Sequence, residues 1–450
     1  MSRFRYNRPL PRRISAPPQE EPLAFAERLD EIRSGFQLPF WVANFTEIFE
    51  RVAYYGTTAV LAIYLTEQLH FSSQLAGTLQ GIANFVVYAL AILAGTLADR
   101  FGFRRTLLLA YLLLTTGYFL LGSLETSWMA PLRHAIGDKW LVSLVLLVPS
   151  LGPGLVKPVV AGTTARASAE NVRSLGYSIY YTLVNIGGTV GPLMAWVVRE
   201  KMGWGIANVF RFAALSVFLM FWVTLFFYRE PGKPDDQRVA SIGRAFLNMF
   251  VVLGNLRYVT FLLISSGFYI VYWQIFISAP VFLRRYVNPN ADVDRILSLE
   301  GATIICFQIL VAYLTQKIPA VQAIAIGFLI SASSWVLLAV HPSTFAFGVL
   351  LVILALGELL QASRYYEYCS RLAPPGQQGL YMGYAFLPIA IGSAIGGPFG
   401  GFLLKEFGDV LHRPAEMWWV IFAVGVVTAA LMLLYDRIVK PLAAPASTSA

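Results

Sequence analysis

Glu47, Glu50 and Arg51 are three charges inside an apolar run from Phe40 to Leu69, in the stretch Glu47-Ile-Phe-Glu50-Arg51-Val-Ala-Tyr54-Tyr55-Gly56. At 3.6 residues per turn, Glu47, Glu50, Arg51, Tyr54 and Thr58 share one helical stripe. A carboxylate beside a guanidinium stays ionised while paired and becomes protonatable when the pair separates. Glu47 and Glu50 are therefore candidate proton carriers. Lys157 and Glu358 also lie well inside apolar runs. At roughly 3 kcal/mol for each charge at the centre of a membrane helix, the five together cost about 15 kcal/mol, the whole net stability of an ordinary protein. They must be paired or hydrated. An ionisable stripe on an apolar helix is expected to turn away from lipid and face a water-filled cavity.

Counting signs by half sharpens this. Glu47 and Glu50 balance Arg51 and Lys157, whereas the second half holds Glu358, with Glu300 near the outer end of its own span, and no matching buried cation. Arg364 lies about 240° around the helix from Glu358 and is a poor partner. Arg364, Glu367 and Arg371 at three- and four-residue spacing read as a solvated helix end. Two arrangements follow. Lys157 or Arg51 meets Glu358 directly as a gating ion pair, or a zwitterionic substrate sits between them, carboxylate toward Lys157 and ammonium toward Glu358.

The elements that must position these residues are membrane helices. Of 450 residues 57% are hydrophobic and 13% charged, against roughly 25% charged in soluble domains. Spans of about twenty apolar residues are expected near 38–68, 73–98, 105–125, 139–165, 172–199, 204–228, 258–286, 294–316, 320–340, 345–370, 377–404 and 416–438. The net charge of +9 is spread over short segments between apolar runs, a positive-inside pattern and not a nucleic-acid surface. It favours a multi-pass cell (inner or plasma) membrane protein with both termini cytoplasmic, although Arg284, Arg285 and Arg295 run against the trend. A polar stretch divides the spans six and six. The expected organisation is an Arg/Pro-rich tail over 1–37, a six-helix bundle over 38–228, and a linker over 229–257 whose residues 243–256 read as an amphipathic surface helix. A second six-helix bundle over 258–438 and a tail over 439–450 complete it.

Two motifs support paired halves. Gly187-Gly188-Thr-Val-Gly191-Pro192 in the fifth span resembles Gly392-Ser-Ala-Ile-Gly396-Gly397-Pro398 in the eleventh; small residues at such spacing let helices approach closely. Gly95-Thr-Leu-Ala-Asp99-Arg100-Phe-Gly102-Phe-Arg104-Arg105 bridges the second and third spans. It resembles the cytoplasmic loop motif of major facilitator transporters, with Asp99, Arg100 and Arg104 as a latch on the inner gate. That fold, an all-α membrane protein with twelve transmembrane helices in two six-helix bundles, carries substrate near the midplane between halves.

A closer resemblance is to the proton-dependent oligopeptide transporters. Glu47-x-x-Glu50-Arg51-x-x-Tyr54-Tyr55-Gly56 looks like that family's first-helix signature, Gly154-Leu-Val-Lys157-Pro158 its fourth, and Tyr180-Tyr181-x-x-Val184-Asn185-x-Gly187 its fifth. Gly267-Phe-Tyr-Ile-Val-Tyr-Trp-Gln274 resembles the seventh helix, and Gly357-Glu358 with Leu372-Ala373-Pro374 and Met382-Gly383 the tenth-helix region. The resemblance implies proton coupling by Glu47, Glu50, Arg51 and Lys157, and a peptide amino terminus received by Glu358. It also implies a pocket lined by Tyr55, Tyr88 and Asn185.

The departures fall in the cargo wall. Thr58 stands where many bacterial members carry a second arginine, and Tyr272 and Trp273 where acidic residues often precede the seventh-helix Gln. Glu300 takes a position that is often Asn, and Ala385 one that is often Trp. Tyr272, Trp273 and Glu300 are thus expected to remodel the substrate site. The expected function is proton-coupled import of di- or tripeptides or peptide-like zwitterions by alternating access. The alternatives are another solute on the same fold, such as a modified amino acid, organic anion or natural product, or export. An enzyme is not expected: His-Glu-x-x-His and Gly-x-Ser-x-Gly are absent, and His70, His134, His341 and His412 lie in predicted outer loops. No metal or cofactor is implied; the expected partners are the substrate, protons and the lipid bilayer.

Overall fold

Long apolar runs leave the backbone no water to bond, so each run closes its own hydrogen bonds as a helix. The computed structural model describes residues 34–232, 252–374 and 378–439. The first bundle holds α1 (Leu38–Ile63), α2 (Ser73–Phe101), α3 (Phe103–Ser123), α4 (Asp138–Arg166), α5 (Arg173–Trp196) and α6 (Ile206–Phe227). The second holds α7 (Leu256–Tyr272), α8 (Val293–Thr315), α9 (Ala320–Ser334), α10 (Thr344–Leu372), α11 (Leu387–Leu403) and α12 (Met417–Ile438). Among the described residues, eleven spans are long and apolar enough to cross a membrane. The remaining helix, α1, is as long at 26 residues but carries Glu47, Glu50 and Arg51. The chain is an all-helical, multi-pass membrane protein whose helices follow the expected spans closely. Most of the expected amphipathic helix at 243–256 lies outside the described residues, as do residues 1–33 and 440–450 of the tails.

The two halves repeat one another in detail. α1, α5, α7 and α11 all end in π-helical turns, at Tyr64–Gln68, Val197–Lys201, Leu283–Val287 and Leu404–Val410, although the turn after α7 follows two short helical pieces, Gln274–Ile277 and Ala279–Phe282. Glycines set the matching helix contacts. A Cβ on Gly187 would collide with the Arg51 side chain, so α5 lies against α1 at the charged stripe. In the second half a Cβ on Gly392 would collide with Tyr269, and α11 lies against α7 in the same way. The Gly-Pro repeat seen in the sequence is a packing device.

Between the halves, α2 packs along α11 and α5 along α8. At its glycines the α2–α11 seam brings backbone against backbone: a Cβ on Gly397 would strike the Gly77 carbonyl, and one on Gly81 would lie 2.6 Å from the Ser393 carbonyl oxygen. This seam lies near the end of the molecule that carries Gln68, Ser73 and Val293, called here the sealed face. Toward the opposite, open face, α4 and α5 form no packed interface with α10 or α11 among the described residues. Tyr177 and Tyr181 of α5 remain exposed there.

Candidate functional site

The helix spacing that put Glu47, Glu50 and Arg51 on one stripe brings them into a single cluster. Arg51 Nε meets Glu50 Oε2 at 2.5 Å and Glu47 Oε1 at 3.3 Å. Both glutamates are fully buried, and Arg51 is 3% exposed. This corrects the expectation of a stripe facing water. The stripe is enclosed because Gly187 lets α5 close over it. The enclosure leaves hydrogen-bonding capacity unused: both Glu47 oxygens, Glu50 Oε1 and Arg51 Nη2 have no hydrogen-bond partner among the described residues, and the guanidinium lies 5.1 Å from the Tyr54 ring centre. A buried cluster with orphaned acceptors is costly unless a proton or a new partner arrives.

Lys157 reaches the same region from α4, a helix with Pro149, Pro153 and Pro158 inside it. It makes no ion pair among the described residues. Its ammonium lies instead over two aromatic rings, Phe386 at 5.1 Å and Tyr88 at 6.0 Å. Phe386 belongs to the second half, at a break between the helical pieces Gln378–Tyr384 and Leu387–Leu403. Ala385 stands beside it in the break. Phe386 was not singled out from sequence, since one phenylalanine among 32 carries no signal.

Across from Lys157, Glu358 does not form the expected gating ion pair with Lys157 or Arg51. Its carboxyl group lies within hydrogen-bond reach of Glu300, brought from α8. Tyr272 Oη donates to Glu300 Oε1 at 3.1 Å. Trp273 is 3% exposed and meets Tyr88 of the first half edge-on, with ring centres 6.1 Å apart. Tyr55 packs with the apolar cluster of the second half. Asn185 on α5 bonds only along its own helix, Nδ2 to the Tyr181 carbonyl at 2.9 Å. Gln274 is structural: Nε2 donates to the Gly396 carbonyl at 2.9 Å and Oε1 accepts from Ser278 at 2.6 Å, tying α7 to α11. The wall thus carries an unpaired ammonium on one side and two carboxyl groups on the other, with aromatic rings between.

At the open face, Asp99 pairs with Arg166 of α4 at 2.6 Å. Arg104 donates through Nη2 to the Leu225 carbonyl, and its backbone N–H to Glu230 Oε2 at 2.9 Å. Glu230 also accepts from the Phe103 N–H at 2.7 Å, so one carboxylate caps the start of α3. Arg100 is exposed and lies over Phe101. The partners described for Asp99 and Arg104 belong to the first half and, in Glu230, to the start of the linker, which makes this loop a brace on that side in the present conformation. A cavity of about 660 Å³ opens there, lined by Asp99, Phe103, Pro158, Arg166 and Arg173.

The sealed face holds residues that sequence reasoning left out. Arg199 grips Asp294 with Nε to Oδ2 at 3.0 Å and Nη2 to Oδ1 at 2.9 Å, joining α8 to the end of α5. Arg284 pairs with Glu67 at 2.8 Å, and Arg285 reaches Ser73 Oγ at 3.2 Å. Two of the arginines that break the charge trend, Arg284 and Arg285, are therefore clasps between the halves. The trend violation itself was the available signal.

The model of the Major Facilitator Superfamily matches residues 43–299 and 290–449. Among curated relatives, the multidrug resistance protein MdtH of Photorhabdus laumondii is 24% identical over 375 residues, covering 82% of this chain and 87% of the relative. MdtH of Aeromonas salmonicida is 24% identical over 398 residues, covering 87% and 94%. Among solved structures, a POT family transporter in complex with 5-aminolevulinic acid superposes with a TM-score of 0.70 at 18% identity, covering 89% of this chain and 96% of that one. A peptide transporter POT in complex with sulfate gives 0.69 at 20% identity, covering 90% and 96%.

Proposed function

Because the chain belongs to the Major Facilitator Superfamily, we propose that it is a proton-coupled symporter that moves peptide-like zwitterions by alternating access, and not an enzyme. The observation that carries this reading is the separation of unpaired charge across the two halves. Among the described residues, Lys157 offers an ammonium with no ion-paired carboxylate, while Glu358 and Glu300 offer carboxyl groups with no ion-paired cation. A zwitterion of the right length satisfies both ends, its carboxylate at Lys157 and its ammonium at Glu358, with Tyr55, Tyr88 and Asn185 along its backbone. Protonation of Glu47 or Glu50 weakens their hold on Arg51 and frees positive charge for the substrate carboxylate. The fold shared with POT family structures supports the reading.

We place the protein in the cell membrane with both termini cytoplasmic, so the open face is the inner one. Net inward movement of positive charge then gains about 2.3 kcal/mol per charge per 100 mV.

Export of a less polar solute is the second reading. The multidrug names of the MdtH relatives and the aromatic wall of Tyr272 and Trp273 favour it. Proteoliposomes with an imposed pH gradient and potential decide between them. Symport predicts accumulation of dipeptides that an uncoupler abolishes. Uptake indifferent to the uncoupler sinks the proton coupling, and failure of every peptide to compete sinks the substrate class.

A further inference from the structure

Glu300 and Glu358 come from different helices, α8 and α10, and their carboxyl groups lie within hydrogen-bond reach of each other. Two carboxylates are both pure acceptors, and no hydrogen bond joins them unless one carries a proton. Fully ionised, they would also repel at close range in a site of low dielectric. No Lys, Arg or His forms an ion pair with either one among the described residues. Glu300 is 6% exposed, and besides Glu358 it meets the Tyr272 hydroxyl, which donates to Oε1 at 3.1 Å.

Two further groups in this wall lack partners. Among the described residues, the buried Glu358 Oε2 accepts no hydrogen bond, and the Trp273 indole N–H, next in sequence to Tyr272, donates none. The titratable groups that face the pair are Tyr55 on α1, Tyr88 on α2, Lys157 on α4, Tyr181 on α5, Tyr269 and Tyr272 on α7 and Tyr366 on α10 itself. Lys157 is the one cation among them, and it is turned to the rings of Phe386 and Tyr88.

We propose that Glu300 and Glu358 share one proton in the empty carrier and form a proton-binding site in the second half, separate from the Glu47–Glu50–Arg51 cluster. The proton sits on one carboxyl oxygen and is accepted by the other, and Tyr272 fixes Glu300 so that the pair stays in register. When the proton leaves for water in the open cleft, the pair becomes a dianion, suited to a primary ammonium that can donate to both groups. Proton and ammonium then compete for one place, whereas at the first-half cluster protonation assists binding.

The test needs no substrate, so its failure is distinct from failure of the peptide reading. Purified full-length protein is treated with N,N′-dicyclohexylcarbodiimide, which adds to protonated carboxyl groups in apolar surroundings, and the adducts are mapped by mass spectrometry between pH 5 and pH 9. The expected result is an adduct on Glu300 or Glu358 that persists at pH 8, far above the ordinary glutamate range near ~4.3. Glu300→Gln should reduce labelling of Glu358 at pH 8 at least fivefold, while Glu300→Asp retains most of it, both judged on protein with a wild-type gel-filtration profile. Absence of adducts on both residues above pH 6 overturns the proposal, as does Glu300→Gln protein that labels at Glu358 like wild type.

Discussion

The Arg199 guanidinium and the Asp294 carboxylate form a two-bond clasp, 3.0 and 2.9 Å, between the end of α5 and the start of α8. Asp294 is fully buried and Arg199 nearly so. Planar, bidentate pairing of this kind is the geometry in which arginine outperforms lysine. Removing one member of a buried pair costs about 3–5 kcal/mol when the other charge is stranded, and less here because Arg199 also pairs with Glu200 and, at 3.7 Å, with Asp292. Because the clasp joins the halves, that cost falls on the conformation sealed at this face. Asp294→Asn should therefore shift the population toward opening here. In a Cys306→Ser background, Ser298→Cys should react with a membrane-impermeant maleimide at least tenfold faster when Asp294→Asn is added. An unchanged rate would make the clasp a local brace only.

The α2–α11 seam makes a steric prediction. Gly397→Val puts a side chain where the Gly77 carbonyl stands, so sealing should fail and transport should fall to a few per cent of wild type. Gly95→Ala is the control on the same helix pair, since a Cβ there meets nothing within 4 Å. Uptake and maleimide accessibility measured on both variants separate blockage from general misfolding.

For the first-half cluster the two glutamates should differ. Glu50 is bonded to Arg51 at 2.5 Å, while Glu47 stands off at 3.3 Å with neither oxygen hydrogen-bonded. Glu50→Gln should abolish gradient-driven uptake yet leave counterflow, which needs no net proton movement, within about threefold of wild type. Glu47→Gln should have the smaller effect on the driven rate. Equal loss of driven uptake and counterflow in Glu50→Gln would assign the cluster to helix packing.

Lys157 has no ion-paired carboxylate among the described residues, so its removal should not destabilise the fold as breaking a buried pair does. Lys157→Ala should keep a wild-type melting temperature while driven uptake disappears. Lys157→Arg restores the charge but not its shape over Phe386, and should recover a fraction of the activity. A large drop in melting temperature for Lys157→Ala would show that its contacts with the Phe386 and Tyr88 rings hold the halves together.

Much of the fold could be read from the chain, because hydrophobic length and charge are strong local signals. The span from 73–98 is a helix over Ser73–Phe101, and 139–165 one over Asp138–Arg166. The site was legible where spacing on one helix decided it, as for Glu47, Glu50 and Arg51. It was less legible where two helices had to meet. Sequence counted Glu300 and Glu358 as unmatched charges on one side but gave no register that would bring α8 and α10 together at those positions. The same lack of register hid Arg199 opposite Asp294, 95 residues apart. No Lys157–Glu358 ion pair forms among the described residues in this conformation; the ammonium lies over the ring of Phe386, at the break before α11.

A boundary made of backbone against backbone has no rotamers. At the α2–α11 seam, Gly77 and Gly81 face Ser393, Gly397 and Gly401, and the closest approaches are carbonyl oxygens against α-carbons and amides. Interlocked side chains would have to withdraw in sequence before two helices could part. Where the contact is backbone alone, as between Gly77 and Gly397, parting the helices would unlock no side chains. What must be undone first is the small set of polar clasps at Arg199, Arg284 and Arg285. The sealed face therefore behaves like a latched door on a plain hinge: its resistance is concentrated in a few polar bonds, and its travel beyond them meets little friction.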